Sequence, residues 1–191
     1  MIPRIILLEL TNQSSQILTN YFTQFGYEVS SCRLSTEISQ HLADRHIEFL
    51  IVNANLPHPT LLKHIHSAVK QHAVPVVMFV KSSDKLLTEE AVRAGVSALV
   101  VDGFEVNRLR HILDIAKARF DETQRLNGEM QKLKIQLLDR KSIDKAKGIL
   151  MKRRAIDENA AFGLIQKMAI DRNQNMIQVA RNIIDVDELQ I

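Results

Sequence analysis

The 191-residue sequence predicts a doubly wound α/β domain on a parallel sheet, then one long helix, then an all-α three-helix bundle. Three observations carry that prediction. Short apolar runs of strand length recur through the first hundred or so residues, separated by segments of helical periodicity. From residue 106 to about 154 the chain consists mainly of Leu, Lys, Arg, Gln, Glu and Ala, all good helix formers, with no proline. Two shorter amphipathic segments then complete the chain.

The strand-like runs are 4–10 (RIILLEL), 48–53 (EFLIVN), 75–80 (PVVMFV) and 97–101 (SALVV), with 27–32 (YEVSSC) a weaker fifth. Between the first two runs, Ile17, Leu18, Tyr21, Phe22 and Phe25 mark one face of a helix. Runs that are apolar on both faces, alternating with amphipathic helices, describe a parallel sheet covered on both sides. Five such units within about 105 residues fit a flavodoxin-like fold. Gly26 and Gly95 stand where the first and fourth helices should end.

In such folds chemistry sits at the carboxyl ends of the strands. This half of the chain resembles the receiver domains of response regulators, and the resemblance implies a fixed set of residues there. A working receiver carries an acidic pair after the first strand, a phosphoacceptor Asp after the third, a hydroxyl after the fourth and a Lys after the fifth. The acidic pair falls here on Glu9 and Leu10. Pro57 points back to Asn53 as the degenerate phosphoacceptor position, and an amide cannot form an acyl phosphate. The hydroxyl position falls on Val80 and the Lys position on Asp102. Mg²⁺ needs carboxylate oxygens, and one Glu beside an Asn is a poor site. The reading is a pseudo-receiver that acts by protein contact and is not phosphorylated.

Composition narrows the remaining classes. One cysteine, Cys32, rules out an internal disulfide and suits a reducing compartment. No apolar run approaches a membrane span, and residues 1–4 lead straight into a strand, so a cytoplasmic protein without membrane contact is expected. Six of the seven histidines lie between 41 and 72. His64 and His66 are two apart on a helix, and no Cys or carboxylate completes a set with His41 and His46, so they are read as surface residues and no metal is expected. With no Gly-rich phosphate loop and no nucleophile–base pair, no enzymatic activity and no cofactor are expected.

Starting at Leu109, a three-then-four spacing runs through Ile112, Ala116, Arg119, Thr123, Leu126, Met130, Leu133 and Leu137. That is a heptad seam with polar interruptions. A helix of this length spans about 70 Å and cannot bury its stripe on its own domain alone. Its first part, through Ala116, should pack on the sheet. The rest should pair with a second copy as a coiled coil. The expected organisation is therefore 1–119 pseudo-receiver, 120–139 dimerisation helix and 140–191 helical bundle.

In the last region Asp157 is a good N-cap, and Asn173 or Asn175 can cap the final helix. Ala160, Ala161, Phe162, Leu164, Ile165, Met168 and Ala169 form one apolar face. Met176, Ile177, Val179, Ala180, Ile183 and Ile184 form another, and Ile143, Ala146, Ile149 and Leu150 a third. Charge is concentrated here: residues 1–105 carry a net −2 and residues 106–191 a net +5. Within 140–154, Arg140, Lys141, Lys145, Lys147, Lys152, Arg153 and Arg154 face a single acid, Asp144. Such an excess attracts polyanions.

Residues 140–184 resemble the ANTAR domain through Arg140, Ile143, the AKGILM run at 146–151, Asp157-Glu158, Ala161-Phe162, Leu164, Ala169, Asn173, Val179-Ala180 and Ile183-Ile184. With the pseudo-receiver and the seam, the whole chain is similar to the AmiR/NasT family. PVVMFV, RAGVSALVV and IQVARNII give it more of the look of the NasT branch. The resemblance implies an antiterminator that binds paired hairpins in leader mRNA. For the NasT branch it implies nitrate and nitrite assimilation genes and a ligand-sensing partner protein.

The residues support RNA as the target independently. Lys and Arg on one helix face neutralise phosphates, and a short basic helix cannot read the deep major groove of A-form RNA, which leaves loops. Lys147 and Arg140 are expected to matter most, as phosphate clamps or base-edge donors. Gly148 lowers helix propensity by about 1 kcal/mol, which close approach of an RNA backbone or of a neighbouring helix would justify. Arg172, Asn173 and Arg181 are weaker RNA-binding candidates, each with a surface cap or a solvated charge as the alternative account. A DNA-binding response regulator is the main alternative, but the final helix of such a motif should carry the base-reading residues, whereas here it offers Gln174, Gln178, Arg181 and Asn182 and the charge lies on the first helix. A non-nucleic-acid adaptor with an acidic partner is the other alternative.

Overall fold

A computed structural model describes residues 2–11, 15–33, 38–43, 47–103 and 105–189. They form two compact units, Met1–Gln124 and Arg125–Ile191.

The first unit has five strands: β1 (Arg4–Glu9), β2 (Glu28–Cys32), β3 (Ile47–Ala54), β4 (Val76–Val80) and β5 (Val96–Val101). They pair in parallel in the order β2-β1-β3-β4-β5. The period of two splits each strand between two cores. Ile6, Leu8, Leu50, Val52, Met78 and Val80 pack with Leu61, Leu62, Ile65 and Ala68 of α3 (Pro59–His72), Ile38 of α2 (Ile38–His41) and Ala91 of α4 (Lys85–Arg93). Ile5, Leu7, Phe49, Ile51, Val77 and Phe79 pack on the other face with Leu18 and Phe22 of α1 (Ser15–Gln24). Leu109, Leu113 and Ala116, from the start of α5 (Val106–Arg154), complete that second core. Gly26 and Gly95 take the left-handed φ of 85° and 93° expected of helix ends. At Gly95 a Cβ would come within 3.1 Å of Val69, so close packing adds a second reason for glycine.

The helix α5 is unbroken for 49 residues, and beyond Gln124 it belongs to the second unit. There it packs with α6 (Glu158–Asp171) and α7 (Met176–Glu188). Their shared core is Ala146, Leu150, Ala161, Ile165, Ala169, Val179 and Ala180, edged by Ile143, Ile156, Leu164, Met168, Met176, Ile183 and Ile184. Four residues expected in this core lie outside it. Ala160 is exposed, Phe162 is 43% exposed, and Ile149 and Ile177 are only half-buried. Two short helices and the end of α5 enclose one narrow seam, and a broad apolar face overflows it. Along α5, Leu126, Met130, Leu133, Ile135, Leu137 and Leu138 are all at least half exposed in the single chain.

Candidate nucleic-acid interface

Local sequence fixes the ends of the three helices. After Arg154, Ala155 takes a left-handed φ of 50° and turns the chain. Asp157 caps α6, its carboxylate accepting from the Ala160 N–H at 2.7 Å, with Glu158 in the first turn where the helix dipole favours an acid. Asn175, not Asn173, caps α7. Its side chain accepts from the Gln178 N–H at 2.8 Å, and the Gln178 side chain reaches back to the Asn175 N–H. Asn173 instead ends α6 at a left-handed φ of 50°. The Asn173 N–H donates to Ile170 O and the Gln174 N–H to Ala169 O, at 3.1 and 2.9 Å, the pattern of a Schellman turn. Asparagine tolerates that backbone better than most residues, so Asn173 has a structural role of its own.

At 100° per residue, Ile143, Ala146 and Leu150 turn one side of α5 to the core, and a second set faces away from it. That set is Lys141, Lys145, Gly148 and Lys152, spaced four, three and four apart and exposed throughout. Nothing lies within 4 Å of the place a Cβ would occupy on Gly148. A neighbouring helix of this chain therefore does not account for the glycine. Gly128 and Gly163 have the same free space; Gly148 differs in having lysines on both sides along one face.

The flanks of this face are held by ion pairs. Lys145 reaches Glu188 at 2.6 Å, Arg153 pairs with Asp187, and Arg181 reaches Asp139 at 3.5 Å. The carboxylates late in α7 thus draw on the same cations that sequence reading assigned to a ligand. Their signal was present as the DVDE run at 185–188, but charge counting does not reveal pairing. Arg140 lies 4.0 Å from Asp144 and is otherwise well exposed.

Lys147 is set differently from the expectation. Its side chain is 14% exposed, and its Nζ lies 2.7 Å from Asp144 and 2.6 Å from Glu158. Hydrogen bonds to Asp144 first and Glu158 second raise its pKa, and the bond to Lys147 lowers that of Asp144. The physical reason is position: Lys147 lies at the edge of the core stripe, where the first turn of α6 meets α5. It ties two helices together. Among the described residues no ion pair is formed by Lys141, Lys152, Arg154 or Arg172, and all four are exposed. Lys141 and Lys152 share the Gly148 face, while Arg172 is the C-cap of α6.

In the first unit the strand ends gather the residues that stand where a receiver keeps its phosphorylation chemistry. Asn53 is 8% exposed and in register with Glu9 on β1 and Phe79 on β4. Val80 is in register with Val101, and Asp102 follows at a left-handed φ of 67°. No group of three or more His, Cys, Asp or Glu among the described residues could hold a metal ion. Within the same limits, no helix is long and apolar enough to cross a membrane.

Residues 131–184, which contain all of this helical bundle's core, match the ANTAR domain. An ANTAR domain thus makes up most of the second unit. The chain is similar to the nitrate regulatory protein of Klebsiella oxytoca, 36% identical over 80 residues, which are 42% of this chain and 20% of that protein. A longer match is the transcriptional regulatory protein PdtaR of Mycobacterium tuberculosis, 28% identical over 169 residues, 88% of this chain and 82% of the relative. The relatives are regulators by name. The first unit superimposes on a response regulator from Thermotoga maritima with a TM-score of 0.55 at 16% identity, covering 62% of this chain and 99% of that one. At that identity the likeness concerns the fold, which is receiver-like.

Proposed function

We propose that this ANTAR protein is a transcription antiterminator that binds stem–loops in leader mRNA and so prevents intrinsic termination. The observation that carries the reading is the face of α5 on which Lys141, Lys145 and Lys152 surround an open Gly148. Cations on one side of a helix neutralise phosphates, and a glycine between them lets a sugar–phosphate backbone approach closely. A loop, with its bases splayed, is the target such a helix can reach. On this reading Lys141, Lys152 and Gly148 meet the RNA first, with Arg140, Arg154 and Arg172 beside them. Lys145 and Arg153 join when phosphate competes with Glu188 and Asp187. Lys147 acts mainly by holding α6 in place.

The remaining parts serve that face. The unbroken α5 and its exposed Leu126, Met130, Leu133 and Leu137 support a homodimer joined through residues 120–139. Pairing two chains presents two copies of the 140–191 domain to two hairpins. The 1–119 pseudo-receiver is the handle for control by a ligand-sensing protein partner. Asn53 and Asp102, in place of an acceptor and a cation, support regulation without phosphorylation. The name of the Klebsiella relative, with the likeness to the NasT branch, supports nitrate and nitrite assimilation genes as targets in the cytoplasm.

A gel shift tests the binding. The full chain should retain an RNA carrying two hairpins from its own upstream leader, and duplex DNA of the same sequence should not compete. Lys141→Ala with Lys152→Ala should weaken the complex at least tenfold and lower the slope of log affinity against log salt by roughly two, one for each phosphate left without its lysine. Lys63→Ala, in the first unit, should do neither. Equal retention of duplex DNA would overturn the reading.

A further inference from the structure

Phe162 is the sole aromatic residue of the second unit, and it is left 43% exposed. Its neighbours in sequence fill the core: Ala161 and Ile165 are fully buried. A phenyl ring on a small bundle is normally among the first groups to be covered, because aromatic side chains carry much of the apolar area available for burial. Here the ring lies outside the core cluster. Its place is specific. Glu158, one turn earlier on the same edge of α6, reaches Lys147 of α5 at 2.6 Å. That edge of α6 therefore borders the side of α5 on which Arg140, Lys147 and Asp144 follow one another. Phe162 lies on this same edge of α6, one turn beyond the residue that reaches the basic helix.

From this juxtaposition we propose that Phe162 is a stacking platform for an unpaired loop base of the bound RNA. The inference rests on the RNA reading above and adds a residue that recognises the base, where the lysines recognise only phosphate. Single-stranded nucleic acid is held by two complementary devices, a charged track for the backbone and an aromatic face for the bases. The second unit supplies a charged track on α5 and one exposed aromatic side chain on the edge of α6 that is tied to α5 through Glu158. An exposed ring in such a position keeps its π-face available without further rearrangement of the core.

The test uses the full chain and the two-hairpin leader RNA, with fluorescence anisotropy as a function of salt. Phe162→Leu keeps an apolar side chain of similar bulk and removes the π-face. It should weaken binding by roughly tenfold, the size expected for one stacked base, with the salt slope unchanged because the same lysines still neutralise the same phosphates. Phe162→Tyr should bind within about threefold of the wild type on the same grounds. The melting temperature of each variant is read alongside. With 2-aminopurine placed in turn at each loop position, one position should be quenched on binding by the wild type and by Phe162→Tyr but not by Phe162→Leu. Unchanged affinity in Phe162→Leu, or quenching that persists in it, would overturn the stacking role while leaving the RNA reading intact. Failure of the wild type to retain the RNA would overturn both.

Discussion

At Lys147 a single ammonium is shared by Asp144 and Glu158, and the consequences depend on pH in a definite direction. The Lys147 pKa is raised, so its contribution to stability is present at neutral pH and is lost as pH rises through the folded value, above about pH 10. The Asp144 pKa is lowered, so its contribution is present at neutral pH and is lost as pH falls through the lowered folded value, below about pH 4. Lys147→Met keeps the aliphatic stem and removes the charge. Its melting temperature at pH 7 should lie below that of the wild type, and the gap should narrow as pH falls well below the ordinary carboxylate range and as it rises well above the ordinary lysine range. A gap that stays constant across this range would mean that packing, not charge, holds the residue. The sequence displayed Lys147 as one of seven cations within 140–154, but which cation is paired depends on the helix edge it occupies. The same holds for Asn173. Its residue type suggested a cap or a polar contact, and only the backbone identified it as the left-handed residue closing α6.

The extent of α5 could be read directly, because a stretch without proline and rich in straight-chain side chains has few alternatives to a helix. Four of the five strands were equally legible, since a parallel sheet covered on both faces leaves clear apolar runs, whereas β2, the edge strand EVSSC, left a weaker one. The boundary between buried and open faces of the short helices was not. Phe162, Ile149 and Ile177 belong to apolar stripes wider than the seam that three helices can close, and the excess has to be exposed or find a partner. On α5 the partner we propose is a second copy of the same stripe. The full chain should sediment as a dimer at micromolar concentration. Leu133→Glu with Leu137→Glu places like charges across the seam and should yield monomers with an unchanged helical signal by circular dichroism. Retention of the dimer in this variant would relocate the interface away from residues 120–139.

At the level of the whole molecule, a receiver-like body with Asn53 at the phosphoacceptor position is joined to an ANTAR domain with a cationic helix face. Incubation of the full chain with a small phosphodonor and Mg²⁺ should leave its intact mass unchanged, because the acceptor position is Asn53 and the cation position is Asp102. A stable adduct on the first unit would contradict control by protein contact. The RNA-binding claim turns on Gly148, whose conformational penalty no packing among the described residues offsets. Gly148→Gln adds a good helix former to open solvent and should raise stability by about half a kcal/mol. If RNA lies across that face, the same change should weaken binding to the two-hairpin leader RNA at least tenfold. Measured together in one titration series, higher stability with abolished binding is the predicted result, and higher stability with undiminished binding would contradict the account.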